Sequence, residues 1–169
     1  GVELDDIGAA LSNCQPPPGR LQRVAHADPP VLIDFAHTPD AVTQVLLSLR
    51  LHCQGRLICV LGCGGDRDPG KRPLMGVAAV QHSDLCLFTS DNPRSESPAS
   101  IIDEMCRDLA VPLDPADCLT DRKAAIQRAL TLQEPGDVVV ILGKGHERYQ
   151  EIQGVRYPFN DEAIVKAEL

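Results

Sequence analysis

The sequence predicts an α/β fold, namely a Rossmann-like, mostly parallel sheet with helices on both faces. Short apolar runs alternate along the chain with amphipathic segments of helical length, which is typical of β-α-β units. The run "DVVVILG" (137–143) is apolar at nearly every position, as expected for a strand buried on both faces of a parallel sheet. The 169 residues are enough for one domain with a substantial core.

The individual elements follow from local composition. Strands are predicted, in order, over 21–25 at the sheet edge, 30–36, 56–62, 85–90 and 137–143. Helices are predicted over 38–53, 72–82, 97–110 and 121–133, and a short one at the end of the chain. Thr38 is a candidate N-cap, as is Ser97 or its neighbour for the helix over 97–110, and Pro39 suits a first helical turn. A hairpin is expected around Gly154.

The first 18 residues differ from the rest. "LDDIGAAL" (4–11) reads as the end of a helix, and the three prolines that follow in "CQPPPGR" cannot continue it. The chain also lacks an initiator Met. We therefore expect residues 1–18 to be the tail and linker of a preceding domain, residues 19–169 to be one folded unit, and the whole to be a piece of a longer protein.

Charge and cysteine usage exclude several function classes. The net charge of −8 argues against broad nucleic-acid binding, and no apolar run is long enough to span a membrane. The cysteines are scattered, odd in number and without a CxxC pair, so we expect buried thiols in a reducing cytosol and no metal site. They are Cys14, Cys53, Cys59, Cys63, Cys86, Cys106 and Cys118.

Four predicted strands are followed by loops rich in charged residues. The loops are "FAHTPD", "CGGDRDPGKRP", "SDNPR" and "GKGHERYQ". Ligand groups gather at the carboxyl ends of parallel strands, so these loops should meet. Each loop also has an ordinary structural explanation: a histidine bonded to backbone at a helix start, a tight glycine turn, a proline turn or a generic strand-to-helix turn. A Walker loop is excluded because Arg72, not Ser or Thr, follows Lys71.

Taken together, the side chains of these loops suggest a ligand class. Arg67 and Arg94 carry planar donors suited to a carboxylate. Asp91 and Glu147 are acceptors suited to an ammonium group, and Asn92 can donate and accept. An amino acid has both groups, whereas a purely anionic ligand would not call for the two acids. The loops therefore predict an amino-acid site.

The motifs "DFAHTPD", "GCGGDRDPGKRPLMG", "TSDNPRSESP" and "GKGHERYQ", in this order, resemble the C-terminal domain of the MurE-type Mur ligases. The resemblance covers about residues 19–169. It implies ATP-dependent amide formation in peptidoglycan synthesis, in which an amino acid is added to UDP-N-acetylmuramoyl-L-alanyl-D-glutamate. The intact "DNPR" motif resembles the type that adds meso-diaminopimelate rather than lysine.

The resemblance also implies roles for single residues. Arg67 and Arg94 would hold the far carboxylate of diaminopimelate, which lysine lacks. The other polar groups of diaminopimelate, including the ammonium at its far end, would be bound by Asp91, Asn92, Gly143 and Glu147. His37 would lie by the nucleotide. The family usually has Tyr at the position of Phe35, so this chain keeps the aromatic ring there but not a hydroxyl.

Further expectations concern what the family places elsewhere. Its ATP phosphate loop and Mg²⁺ ligands belong to a central domain and its UDP site to an N-terminal domain. The 169-residue chain alone is therefore expected to be inactive, to be monomeric and cytoplasmic, and to include a hinge near residues 14–24.

Three alternatives remain open from the sequence. One is a lysine-adding, other Mur or folylpolyglutamate-type ligase. Another is a module that binds an amino acid or a nucleotide without catalysis. A dehydrogenase is more distant, because "GCGGDRD" does not have the GxGxxG spacing.

Overall fold

The computed structural model describes residues 3, 6, 7 and 17–169. The predicted helix over 4–11 lies outside these residues, apart from Asp6 and Ile7, which are helical. Cys14 and most of the predicted tail also lie outside them, whereas residues 17–24 of the predicted hinge are described. Among the described residues, no helix is long and apolar enough to cross a bilayer.

A six-stranded sheet forms the centre of the molecule, with strand order β1-β2-β6-β3-β4-β5. Its strands are β1 Gln22–Arg23, β2 Val31–Asp34, β3 Leu57–Cys63, β4 Leu85–Ser90, β5 Cys118–Leu119 and β6 Val138–Leu142. All neighbouring pairs are parallel except β1–β2, which is antiparallel at the edge. The predicted α/β fold with a mostly parallel sheet is confirmed.

Five α-helices and one 3₁₀ turn are described within residues 17–169. They are α1 Pro39–Arg50, α2 Lys71–His82, α3 Pro98–Cys106, the 3₁₀ turn Pro115–Asp117, α4 Arg122–Leu132 and α5 Asp161–Glu168. A separate hairpin, β7 Tyr149–Ile152 and β8 Val155–Pro158, turns at Gln153 and Gly154, both with positive φ. The predicted hairpin around Gly154 is therefore confirmed.

Two apolar cores cover the two faces of the sheet, and successive strand residues contribute to opposite ones. Cys59 and Leu61 of β3 pack with α1, α2 and α3, whereas Ile58 and Val60 pack with α4 and α5. This alternation is the period of two of a β-strand, and it explains why β3 is apolar throughout. The helices lie on both faces, as predicted.

The helix ends follow local chemistry with two departures from prediction. Thr38 accepts a hydrogen bond from the Ala41 amide, as a cap should, whereas Ser97 occupies the cap position without a side-chain bond. Helix α3 ends at Cys106, four residues before the predicted Ala110, where a turn bonds the Leu109 amide to the Cys106 carbonyl. Strand β5 was not predicted, because two residues carry no periodic signal.

The six cysteines among the described residues are all free thiols. Cys59, Cys63 and Cys86 are buried and Cys53, Cys106 and Cys118 are half-buried. Burial raises the pKa of the Cys63 thiol to about 12, so this thiol stays protonated at neutral pH.

Candidate functional site

The candidate site is a cleft of about 310 Å³ at the carboxyl ends of β2, β3, β4 and β6. Its lining residues are Phe35, His37, Gly64, Arg67, Lys71, Asp91, Asn92, Arg94, Gly143 and Glu147. All seven residues predicted as ligand-binding are among them, so the structure brings them to one place. Their roles in binding stay predictions.

The two arginines that are predicted to bind a carboxylate differ in burial and in hydrogen bonding. Arg94 is half-buried, and its Nη1 donates to the Gly65 carbonyl at 2.6 Å. Arg67 is exposed, and no hydrogen bond to another described residue holds its guanidinium. A ligand carboxylate would therefore contact one guanidinium that is held in place, Arg94, and one that is free to adjust, Arg67. Strong discrimination between ligands with and without this carboxylate requires that Arg67 be shielded from water, either by the ligand or by a further part of the protein.

The loops that carry these arginines are packed backbone against backbone. The Gly65 amide donates to the Asn92 carbonyl at 2.9 Å. A Cβ at Gly65 would lie 1.9 Å from the Pro93 carbonyl oxygen, closer than any real contact. Glycine at this position thus permits the two loops to approach, and it sets the separation of Arg67 from Arg94.

A buried ion pair fastens the same two loops. The Arg72 side chain is 1% exposed and binds both carboxylate oxygens of Glu96 at 2.8 Å, with Glu104 at 2.9 Å and the Gly64 carbonyl at 3.2 Å. These bonds with Arg72 hold the pKa of Glu96 at about 2. Arg72 therefore acts on the framework of the cleft and does not line it.

The "DNPR" segment is held from its other side by the hairpin. The Arg94 amide donates to the Glu151 carbonyl at 2.9 Å, and the Gln153 amide donates to the Arg94 carbonyl at 2.7 Å. Gln150 Nε2 donates to the Asp91 carbonyl at 2.8 Å. Arg94 has a φ of 51°, an uncommon conformation for a residue with a side chain, and these backbone bonds maintain it.

The acidic end of the cleft is a buried network. Asn92 Nδ2 donates to Glu147 Oε2 at 2.8 Å, and Asn92 Oδ1 accepts from the Glu151 amide at 2.9 Å and from Lys144 at 3.0 Å. Asp91 is 8% exposed. Burial raises the pKa of Asp91 above its ordinary value, against the opposing charges of Lys144 and Arg122.

Gly143 lies directly beside this network. Its φ is 107°, and a Cβ there would lie 2.8 Å from Asp91 Oδ2. Only glycine combines this conformation with the close approach of the carboxylate, so its predicted place in the site has a steric basis.

A second buried ion pair lies beneath the cleft, at the ends of strands β4 and β6. Arg122 and Asp161 are 1% exposed and joined by two bonds of 2.9 and 2.8 Å. The guanidinium also donates to the last carbonyls of β4 and β6, from Ser90 at 3.3 Å and Leu142 at 3.0 Å. The strand ends that carry "DNPR" and "GKGHE" are thus fixed relative to each other.

The remaining rim is aromatic and basic. His37 Nδ1 lies 2.8 Å from the Phe35 carbonyl, and the two rings meet edge to face at 4.7 Å. Arg20 lies over the Phe35 ring at 4.9 Å, and Lys71 donates to the His37 carbonyl at 3.0 Å. His37 thus makes the local backbone contact considered for it above and also faces the cleft.

Sequence reasoning did not assign Lys144, Lys71 or Gly64 to the site. Their loops were singled out, but nothing in the sequence shows that Lys144 is fully buried among acceptors. Among the described residues, no three His, Cys, Asp or Glu side chains come together as a metal site.

Comparison with known proteins agrees with the fold and the motifs. Residues 19–145 match the family model described as "Mur ligase, glutamate ligase domain". The UDP-N-acetylmuramoyl-L-alanyl-D-glutamate–2,6-diaminopimelate ligase of Chromobacterium violaceum is 49% identical over 100% of this chain and 34% of its own length. The ligase of the same name from Aquifex aeolicus is 50% identical over 98% of this chain and 34% of its own length.

Solved structures give the same result. A structure of a ligase of that name superposes with a TM-score of 0.81 and 41% identity, covering 99% of this chain and 34% of that one. Folylpolyglutamate synthase of Mycobacterium tuberculosis, complexed with ADP and AMPPCP, gives a TM-score of 0.62 at 24% identity, with 84% of this chain and 33% of that chain covered; this likeness concerns the fold alone. The chain spans about a third of the length of the curated relatives it matches.

Proposed function

Because the chain belongs to the Mur ligase family through its glutamate ligase domain, we propose that it is the C-terminal, amino-acid-binding domain of an ATP-dependent ligase. The reaction is the addition of meso-diaminopimelate to UDP-N-acetylmuramoyl-L-alanyl-D-glutamate, the substrates that the names of the relatives indicate. The protein would act in the cytoplasm as a monomer.

The observation that carries this proposal is the pairing of opposite charges across one cleft. Arg67 and Arg94 line one part of it, and Asp91 and Glu147 line another. The arginines match the far carboxylate of diaminopimelate and the acids match the ammonium on the same carbon. Lysine ends in an ammonium alone and would leave both guanidinium groups without a carboxylate partner.

The chemical share of this domain is to position the nucleophile. Holding the far end of diaminopimelate by ion pairs directs its other amino group out of the cleft, toward the carboxylate to be ligated. ATP with Mg²⁺ would supply the phosphoryl group that activates this carboxylate. The exposed His37 beside Phe35 is the group of this chain that we place near the nucleotide, and we assign no Mg²⁺ ligand to residues 17–169.

The direct test is a ligation assay on the longer protein that carries this chain, with diaminopimelate and lysine compared at equal concentration. We expect product from diaminopimelate and little from lysine. Arg94→Ala should raise the KM for diaminopimelate. Removing one partner of an ion pair that is shielded from water costs about 2 to 5 kcal/mol of binding free energy. Arg107→Ala, at an exposed side chain on the end of α3, is the control. Equal use of both amino acids would refute the specificity.

The chain itself offers a second test, by calorimetric titration. We expect weak binding of diaminopimelate, weaker or no binding of lysine, and loss of the difference in Arg94→Ala. If the chain instead binds neither amino acid and the longer protein ligates lysine, the lysine-adding alternative is the correct one.

A further inference from the structure

Lys144 is the most buried charged group at the acidic end of the cleft. It lies two residues after the end of β6, and its side chain is 0% exposed. A buried ammonium is stable only if its donors are satisfied and its charge is balanced. The neighbours of Lys144 meet both conditions, since they are two carboxylates and an amide.

Each of the three donors of the ammonium has an acceptor. Nζ lies 3.0 Å from Asn92 Oδ1, 3.1 Å from Glu147 Oε2 and 3.5 Å from Asp91 Oδ1. Asn92 Oδ1 also accepts from the Glu151 amide. A flipped Asn92 would place its NH₂ group against two donors, so Lys144 fixes this amide with Nδ2 pointing at Glu147.

The same contacts leave one oxygen free on each acid. Among the described residues, no hydrogen bond is made to Asp91 Oδ2 or to Glu147 Oε1. Asp91 Oδ2 lies against Gly143, which lines the cleft. Each carboxylate therefore turns one oxygen to Lys144 and keeps the other for a ligand.

We infer that Lys144 is a positioning residue for the ammonium end of the amino-acid substrate: it occupies Asp91 Oδ1 and Glu147 Oε2 and presents Asp91 Oδ2 and Glu147 Oε1 to the ligand. This inference rests on the proposed function and extends it to a residue that does not line the cleft. Lys144 acts through the acids and the amide, since its own donors are all engaged within the protein.

Lys144 also favours the charged form of the buried acid, Asp91. The charged or titratable groups that face Asp91 are Lys144, Glu147, Arg122, Asp161 and Cys63. Burial already raises the pKa of Asp91, and the positive charge of Lys144 opposes that rise. Without this charge the pKa of Asp91 rises further, and a protonated Asp91 no longer attracts an ammonium.

The test is Lys144→Met in the longer protein, with the KM for diaminopimelate measured between about pH 6 and 9. We expect the KM to rise by about tenfold or more at neutral pH. On acidification, the increase in KM should also begin at a higher pH than in the wild type. The KM for ATP should change by less than about twofold. Lys123→Met, at an exposed lysine of α4, controls for the substitution itself.

Lys144→Arg separates charge from geometry. It keeps the positive charge, but a planar guanidinium cannot place one donor on each of these acceptors, so the KM should rise while the acid limb stays at the wild-type pH. If Lys144→Met does not fold, this variant decides alone, and an unchanged KM for diaminopimelate would overturn the inference.

Two results would contradict a positioning role. One is a KM raised by the same factor at every pH in Lys144→Met, and the other is an equal rise in the KM for ATP. Failure of the proposed function is a separate outcome, because it would already appear in the wild type as absence of diaminopimelate ligation.

Discussion

Gly65→Ala is the substitution for which the structure makes the sharpest prediction. The added Cβ would lie 1.9 Å from the carbonyl oxygen of Pro93, whereas real Cβ contacts are essentially never shorter than 3.0 Å. The neighbouring atom is backbone and not the end of a flexible side chain, so the two loops must separate by about 1 Å or more. The separation would break or stretch two hydrogen bonds, from the Gly65 amide to Asn92 and from Arg94 to the Gly65 carbonyl.

The size of the effect follows from these contacts. Two hydrogen bonds at about 1 kcal/mol each and overpacking at about 1 to 3 kcal/mol give a loss of about 3 to 5 kcal/mol, divided between stability and ligand binding. Because Arg67 and Arg94 would move apart, the KM for diaminopimelate should rise more than the KM for ATP.

The assay is steady-state ligation in the longer protein, together with urea unfolding of the chain. Gly70→Ala is the matched control in the same loop: its Cβ would come no nearer than 3.2 Å to a protein atom, the side-chain oxygen of Asp68. If Gly65→Ala behaves like Gly70→Ala in both measurements, the close approach of the loops is not what separates the arginines.

Three further outcomes are expected. Glu96→Gln should destabilise the chain by about 1 to 2 kcal/mol at pH 7. This figure is the free energy that corresponds to lowering the Glu96 pKa to about 2, reduced because the side chain is partly exposed to solvent. Because the folded-state pKa is lowered, this contribution is present above about pH 4.5 and is lost toward pH 2; urea unfolding that showed an equal deficit at both ends would argue against an ionic origin. Arg67→Lys should raise the KM for diaminopimelate far more than that for ATP, and a matched rise would indicate a nucleotide role. Arg122→Met should cost about 3 to 5 kcal/mol, because it leaves Asp161 buried without its cation; a thermal midpoint equal to the wild type would contradict this.

The parts of the fold that could be predicted are those whose sequence shows a clear hydrophobic periodicity or a continuous run of apolar residues. Strand β4 was predicted with its observed bounds, Leu85–Ser90, because the apolar residues stop where the polar loop begins. Strand β5 could not be predicted, since its two residues are held by pairing with β4 and not by a pattern of their own.

The site shows the same division. Loops after parallel strands must meet at one edge of the sheet, so the gathering of Arg67, Asp91 and Glu147 followed from topology once the strands were assigned. The burial of Lys144 and Arg72 did not follow, because long cationic side chains usually lie at the surface and only three-dimensional contacts show that theirs do not.

The hairpin has a practical consequence for where this domain can be cut. The family match stops at residue 145, yet Glu147 and the strand that fixes the backbone of Arg94 come after that point. A chain truncated there would retain every strand of the central sheet and all of "DNPR", but it would lack strand β7 of the hairpin, which bonds to the backbone of that motif. Expression boundaries, chimaeras and sequence searches based on the matched segment alone would therefore omit residues to which we assign the choice of amino acid under the proposed function.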